Sequence, residues 1–334
     1  MRRLALVVLL ACCAVTPAAT AQAARAKWDT RTLALIPKPG YPAHAYVHPN
    51  GRVYEGTYDN PQGDSLASRV FEFTGAGTLL HSWTIQRQNT GEPHGVQVAT
   101  SDAKGRLILL DKSPPRAIVL NRGNGRQRLY GAFPGAAVPN YGAWGPDGSL
   151  YVTDYESPVI WRIPPHGGRA VEWLRDPALD GETFGATGLQ LMADNRTLLV
   201  ATQSAAGLAF GNPTTGRLLK VPIAAGGKAG KITQLWESRP LDGPDGFAIA
   251  KSGSIYVALL LANQIAEVGP DGVEKGRSPT TGFDNPSNAQ FLGKRLMVAN
   301  QSYVLGDASK QAVLDVWVGE PGLKRLIPRT AGPR

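Results

Sequence analysis

Three short segments carry the side chains best suited to chemistry: Pro93-His94-Gly95, Pro139-Asn140-Tyr141 and Pro244-Asp245-Gly246. An unperturbed imidazole titrates near neutrality, so His94 is a candidate general base toward water; the alternative is a histidine packed at a rim. Asp245 offers a carboxylate that could activate water or hold a hard cation. Asn140 could add a side-chain carbonyl oxygen to such a cation, or could initiate its strand through an Asx turn. Pro-Asp-Gly occurs three times, at 146–148, 244–246 and 270–272. The outer two copies sit between apolar strands, where Asp-Gly is ordinary hairpin chemistry. The middle copy precedes a strand, which leaves two readings of Asp245: a turn residue, or a carboxylate aimed at a shared site.

A repeat supplies the elements that would bring these residues together. Each unit opens with Pro or Ala, runs through a short apolar strand and a Gly-containing turn, and continues into a β-branched or aromatic strand. The residues that follow the opening position are Ala43, His94, Asn140, Thr187, Asp245 and Ser287, at intervals of 51, 46, 47, 58 and 42. That spacing and hairpin pattern predict an all-β, six-bladed β-propeller with four-stranded blades. Proline is tolerated at the first residue of a strand, where no ladder N–H is lost. In a propeller the first strand of each blade lines the central channel, so the six positions should converge at one channel mouth. His44, Tyr141 and Asn288, each next to a ring position, are expected to bind substrate there. Glu55, Asp111 and Asp154 follow second strands and read as solvated turn residues. Outer strands are expected at 159–163, 170–174, 313–318 and 324–327. A strand at 31–36 is expected to close the ring at the edge of the last blade.

The first residues read as an export signal. Arg2 and Arg3 precede an apolar run from Leu4 to Val15, and Ala21-Gln22-Ala23 has the small-x-small form of a cleavage site. The expected division is a signal peptide over 1–23 and a single propeller domain over 24–334, secreted or periplasmic. Leu10-Ala11-Cys12-Cys13 also resembles a lipoprotein box, which leaves a lipid anchor as a second option. Both cysteines lie in this segment, so the mature chain is expected to lack disulfides and thiolate sites. No later stretch reads as a transmembrane segment. The formal charge is 35 − 26 = +9, and loss of Arg2 and Arg3 leaves +7. The basic residues are scattered rather than striped, which argues against nucleic-acid binding. Gly230-Lys231 is followed by Ile232, so it is no phosphate loop, and neither a His-Glu-x-x-His nor a Gly-x-Ser-x-Gly motif is present.

Pro244-Asp245-Gly246-Phe247-Ala248-Ile249, followed by Gly253-Ser254-Ile255-Tyr256-Val257-Ala258, resembles the fifth-blade signature of the senescence-marker-protein, gluconolactonase and luciferin-regenerating-enzyme family. The likeness extends over most of 30–330 through the blade pattern, and Pro93-His94-Gly95 is similar to a histidine motif of paraoxonase lactonases. The resemblance implies a six-bladed propeller that hydrolyses a small lactone or ester with one divalent cation, often Ca²⁺, in the channel mouth. It places metal ligands at Asp245, Asn140 and, more weakly, Thr187. It would also require a first-blade glutamate, where this chain has Ala43. His44 beside that gap makes Zn²⁺ the second choice of cation. His94 or Asp245 would activate water. The missing glutamate keeps open a non-catalytic propeller that binds a small ligand or partner protein. A strictosidine-synthase-like role lacks a suitably placed channel glutamate. A monomer is expected.

Overall fold

A computed structural model describes residues 25–182, 184–204, 215–330 and 332–333. The proposed signal peptide and both cysteines lie outside these residues. The described chain is nearly all β, with short 3-10 turns such as Pro177–Leu179 and no α-helix. Six sheets form the blades, each running from an inner strand outward to a half-exposed edge. The inner strands are Tyr46–Val47, Val96–Ser101, Pro139–Trp144, Ala186–Leu191, Pro244–Ile249 and Pro286–Leu292. Each packs against the inner strand of the next blade, and the sixth returns to the first.

Local chemistry explains the hairpins. Gly51, Gly148 and Gly272 adopt positive φ in turns joining successive strands. Asp147 Oδ1 accepts the Ser149 N–H at 3.0 Å within one of them. The second strands, such as Leu107–Asp111 and Leu150–Asp154, are buried on both faces, whereas the outer strands Leu79–Thr84 and Val171–Arg175 are largely exposed. The core is accordingly split into six apolar wedges, one between each pair of neighbouring blades.

The ring closes as expected from the sequence. Thr30–Leu35 pairs antiparallel with Ala312–Trp317 and supplies the fourth strand of the last blade. Asp315 ties the closure by accepting from Arg25 Nη1 at 2.8 Å and from the Arg295 guanidinium. Because Thr30–Leu35 occupies that edge, the expected strand at 324–327 does not form. The C-terminal segment instead leaves the blade and crosses the end of the channel where the inner strands finish. Leu323 N donates to Ile249 O in blade five at 2.8 Å. Arg325 Nη2 donates to Val47 O in blade one at 2.6 Å. Leu323, Leu326 and Ile327 cap three of the wedges from below.

Removing the carboxylate that gathers two guanidinium groups should loosen this closure. Asp315→Ala is expected to cost about 3 kcal/mol, read as a lower urea midpoint with faster amide exchange over 30–35. An unchanged midpoint would show that the strand pairing alone holds the ring.

Candidate functional site at the channel mouth

Backbone register identifies the equivalent position in every blade. The N–H groups of Tyr58, Lys112, Tyr155, Gln203, Leu260 and Gln301 donate to the carbonyls of Tyr41, Gly95, Val138, Gly185, Gly243 and Asn285. Two residues beyond those carbonyls stand Ala43, Gln97, Asn140, Thr187, Asp245 and Ser287, all buried. They form the floor of a solvent-open bowl with about 510 Å³ of empty space. Five of the six expected positions are therefore brought together. In blade two the ring residue is Gln97, not His94. The sequence did hold a signal for this: Gln97 precedes Asp111 by 111 − 97 = 14 residues, as Asn140 precedes Asp154 and Asp245 precedes Leu259.

His94 lies three residues earlier, in a loop. Its Nδ1 faces Glu92 O and its Nε2 faces Leu66 O, both at 2.8 Å. Both ring nitrogens are turned to backbone carbonyls of the surrounding loops rather than to the bowl, and His94 staples blade one to blade two. It borders a neighbouring cleft rather than the bowl.

Bulges aim the ring side chains. The inner strands of blades three, four and five each carry a register shift at the ring residue, between Pro139 and Gly142, Ala186 and Leu189, and Pro244 and Phe247. A bulge frees backbone N–H groups that need partners. The Tyr141 N–H finds Thr153 Oγ1 at 3.1 Å, and Thr153 in turn donates to Thr187 O at 2.7 Å. In blade one the same task falls to Glu55, whose Oε1 accepts from His44 N at 2.9 Å and Gly56 N at 3.1 Å. Glu55 is thus fully buried rather than solvated. Burial pushes its carboxyl up to about 8, against the pull of the His44, Gly56 and Ala43 N–H groups. Its Oε2 has no partner.

Asp111 and Asp154 are likewise buried, because second strands lie inside the blade. Asp111 accepts from Gln88 Nε2 at 2.7 Å and Arg116 Nε at 2.9 Å. Asp154 accepts from Trp161 Nε1 at 2.9 Å.

Asp245 is the one carboxylate in the ring. Ser287 Oγ donates to its Oδ2 at 2.7 Å. Burial pushes its carboxyl up to about 7, while the hydroxyls of Ser287, Tyr141 and Thr187 favour the charged form. Gln97 Oε1 and Asn140 Oδ1, on two other sides of the ring, are buried oxygens without a hydrogen-bond partner among the described residues. Above the floor stand Tyr58, Tyr155, Phe184, Leu260 and Tyr303, with the amides of Gln203 and Gln301. Lys112 is occupied, donating to Asp59 Oδ2 at 2.6 Å.

His44, Tyr141 and Asn288 do not line the bowl. One residue further along their strands, they face a second cavity below it. The Tyr141 ring forms the partition: its hydroxyl crosses the axis to donate to Ser287 O at 3.0 Å. This crossing needs bare backbone opposite. A Cβ on Gly246 would lie 2.6 Å from the Tyr141 hydroxyl oxygen, and one on Gly188 would lie 2.6 Å from Asp245 O.

One carboxylate, two unpartnered amide oxygens and nearby hydroxyls fit a hard ion such as Ca²⁺, with low ligand charge. The ring has no nitrogen or sulfur donor for Zn²⁺, since His44 lies beneath the partition. Among the described residues no cluster of three or more His, Cys, Asp or Glu could hold a metal.

No protein-family model and no curated protein matches the sequence. Solved structures match the fold. A calcium-binding regucalcin from Agrobacterium tumefaciens is 15% identical, with a TM-score of 0.65 over 90% of this chain and 97% of that one. A gluconolactonase from Xanthomonas campestris is 16% identical, with a TM-score of 0.55 over 90% and 99% of the two chains. A virginiamycin B lyase from Staphylococcus aureus is also 16% identical, with a TM-score of 0.56 over 87% and 99%. The chain therefore shares the six-bladed propeller of regucalcin and gluconolactonase. The match to a lyase means that likeness of fold alone does not fix the chemistry.

Glu55 makes a testable contribution to stability. Its folded pKa is raised, so the native state holds a proton that the unfolded chain releases between pH 4.5 and about 8. Its contribution is present at low pH and is lost as pH rises through about 8. Glu55→Gln keeps the acceptor for the backbone N–H groups and removes the titration. From pH 6 to 8 the variant should lose stability less steeply than the wild type, by on the order of 1 kcal/mol per pH unit. Parallel pH profiles in denaturant melts would refute this account.

Proposed function

We propose that the protein is an exported hydrolase of small, uncharged lactones or esters, with Asp245 as the group that activates water. The observation that supports this most directly is the single buried carboxylate at the base of an open, aromatic-walled bowl, beside two unpartnered amide oxygens. The likeness to a gluconolactonase fold is consistent with it.

In this reading the substrate ring lies against Tyr58, Tyr155 and Tyr303, with its carbonyl toward the floor. Ser287, Tyr141 and Thr187 hold the Asp245 carboxylate in place. Asp245 takes a proton from water as the hydroxide adds to the carbonyl carbon. The ring C–O bond then breaks, and the proton returns from Asp245 to the departing alkoxide. Asp245, Asn140 and Gln97 would hold a hard cation, which when bound would polarise the carbonyl oxygen. Neither His94 nor His44 has a part in these steps.

Asp245→Asn should lower kcat/KM by at least about 10²-fold on any lactone or aryl ester that the wild type opens, with an unchanged melting temperature. Ala43→Glu would add the missing first-blade carboxylate and should tighten Ca²⁺ binding at least about tenfold in calorimetry. The absence of turnover across aldonolactones, acyl lactones and aryl esters, with and without Ca²⁺, would refute hydrolysis.

Ala43 supports a second reading, in which the mouth binds a small ligand without turning it over. Calorimetry showing lactone binding by a protein that releases no product would favour it.

Export is part of the proposal, carried by Arg2, Arg3, the apolar run and Ala21-Gln22-Ala23. Among the described residues no helix is long and apolar enough to cross a membrane. Mass spectrometry of the processed protein should find an N-terminus at Ala24. A lipid-modified Cys12 or Cys13 would instead establish anchoring.

A further inference from the structure

The cavity below Tyr141 is bordered by a half-buried guanidinium that has no carboxylate partner among the described residues. It has room for a water-sized body and is lined by His44, Thr100, Asn288, Gln290 and Arg325, among others. Arg325 comes not from an inner strand but from the C-terminal segment folded across the channel. Its guanidinium donates to Val47 O and lies over the Tyr46 ring, 4.6 Å from the centroid. Among the described residues no carboxylate comes within salt-bridge distance of it, whereas the half-buried Arg277 grips Asp242 through two nitrogens, each at 2.7 Å. Among the described residues no Asp or Glu lines the cavity. The guanidinium is half-buried, so the part of it withdrawn from water carries a desolvation cost that no counter-charge offsets.

His44 adds a second unmatched donor, and its tautomer follows from its neighbours. The Val47 N–H donates to Gln290 Oε1 at 3.0 Å, which fixes the orientation of that amide. Gln290 Nε2 is then the donor toward His44 Nε2, 3.0 Å away. His44 Nε2 is therefore the acceptor, and the proton of the neutral ring sits on Nδ1. That N–H is buried in a residue 2% exposed and has no acceptor among the described residues. Burial, together with the nearby Arg325 charge, holds the imidazole neutral, its pKa lowered to about 3. The cavity thus presents a guanidinium and an imidazole N–H, both without an anionic partner.

We propose that this cavity is a binding site for a small monovalent anion of chloride size, held between the Arg325 guanidinium and the Nδ1–H of His44. The anion fastens the C-terminal segment across the channel. It also supports, from below, the His44 ring that packs 4.7 Å from Tyr141, the partition under the mouth. The proposal does not rest on the hydrolase reading: the two sites share only Tyr141, the partition, and neither Arg325 nor His44 takes part in that chemistry.

The test uses the full mature chain at constant ionic strength, with sodium methanesulfonate exchanged for sodium chloride or bromide. The melting temperature should rise saturably by roughly 3 °C, and diffraction from bromide-soaked crystals should place an anomalous peak between Arg325 and His44. Arg325→Met should abolish the halide response. His44→Phe keeps a ring against Tyr141 but removes the N–H, and should weaken halide binding at least fivefold. It also serves as the deciding variant if Arg325→Met fails to fold. A bromide peak only elsewhere, or the same non-saturating salt response in wild type and His44→Phe, would overturn the proposal.

Discussion

Six inner strands converge on one axis, and the space there cannot hold six ordinary side chains at every level. The chain meets that constraint by leaving Gly188 and Gly246 bare and laying one large ring, Tyr141, across the gap. Everything functional follows from this arrangement. The partition separates an upper bowl open to solvent from a lower cavity covered by the C-terminal segment. It also brings the Tyr141 hydroxyl to the carboxylate of Asp245, so that one side chain both closes the channel and shapes the electrostatics of its mouth.

Convergence on an axis is useful only if the ring stays closed, and the closure is made by chain segments nearly 300 residues apart. Thr30–Leu35 completes the last blade, and Asp315 gathers Arg25 and Arg295 around the seam. The same pairing removes the edge on which residues 324–327 could have added as a strand. The freed segment then becomes the lid of the lower channel. Closing the ring and capping the channel are thus two results of one strand exchange.

Polar accounting separates structural from chemical groups. Bulges that aim the ring residues free backbone N–H groups, and Thr153 and Glu55 take up two of them from the second strands. Asp111 and Asp154 use their carboxylates on indole, guanidinium and amide donors. Asp111 and Asp154 resemble catalytic groups by composition but commit their oxygens to these donors, while Glu55 commits Oε1 to backbone N–H groups inside the blade, away from the bowl. Gln97 Oε1 and Asn140 Oδ1 are different: they are buried, unpartnered and placed around a carboxylate at an open bowl. Unmatched polar atoms beside a cavity are what a binding site requires and what a folded core avoids.

The sequence by itself determined the six-fold hairpin unit, the strand that closes the ring and five of the six floor positions. Those features depend on turn chemistry and period-two alternation, which act over a few residues. It misplaced the sixth position because Pro93-His94-Gly95 imitates the start of a strand, while the register is set by Lys112 donating to Gly95 O across the blade. It put Glu55, Asp111 and Asp154 in solvent because no local pattern reveals that second strands are walled in by neighbouring blades. It put His44, Tyr141 and Asn288 at the mouth because one step along a strand decides which side of the partition a side chain occupies. Only the tertiary structure decided those matters, and the path of the C-terminal segment, because each depends on contacts between blades far apart in the chain.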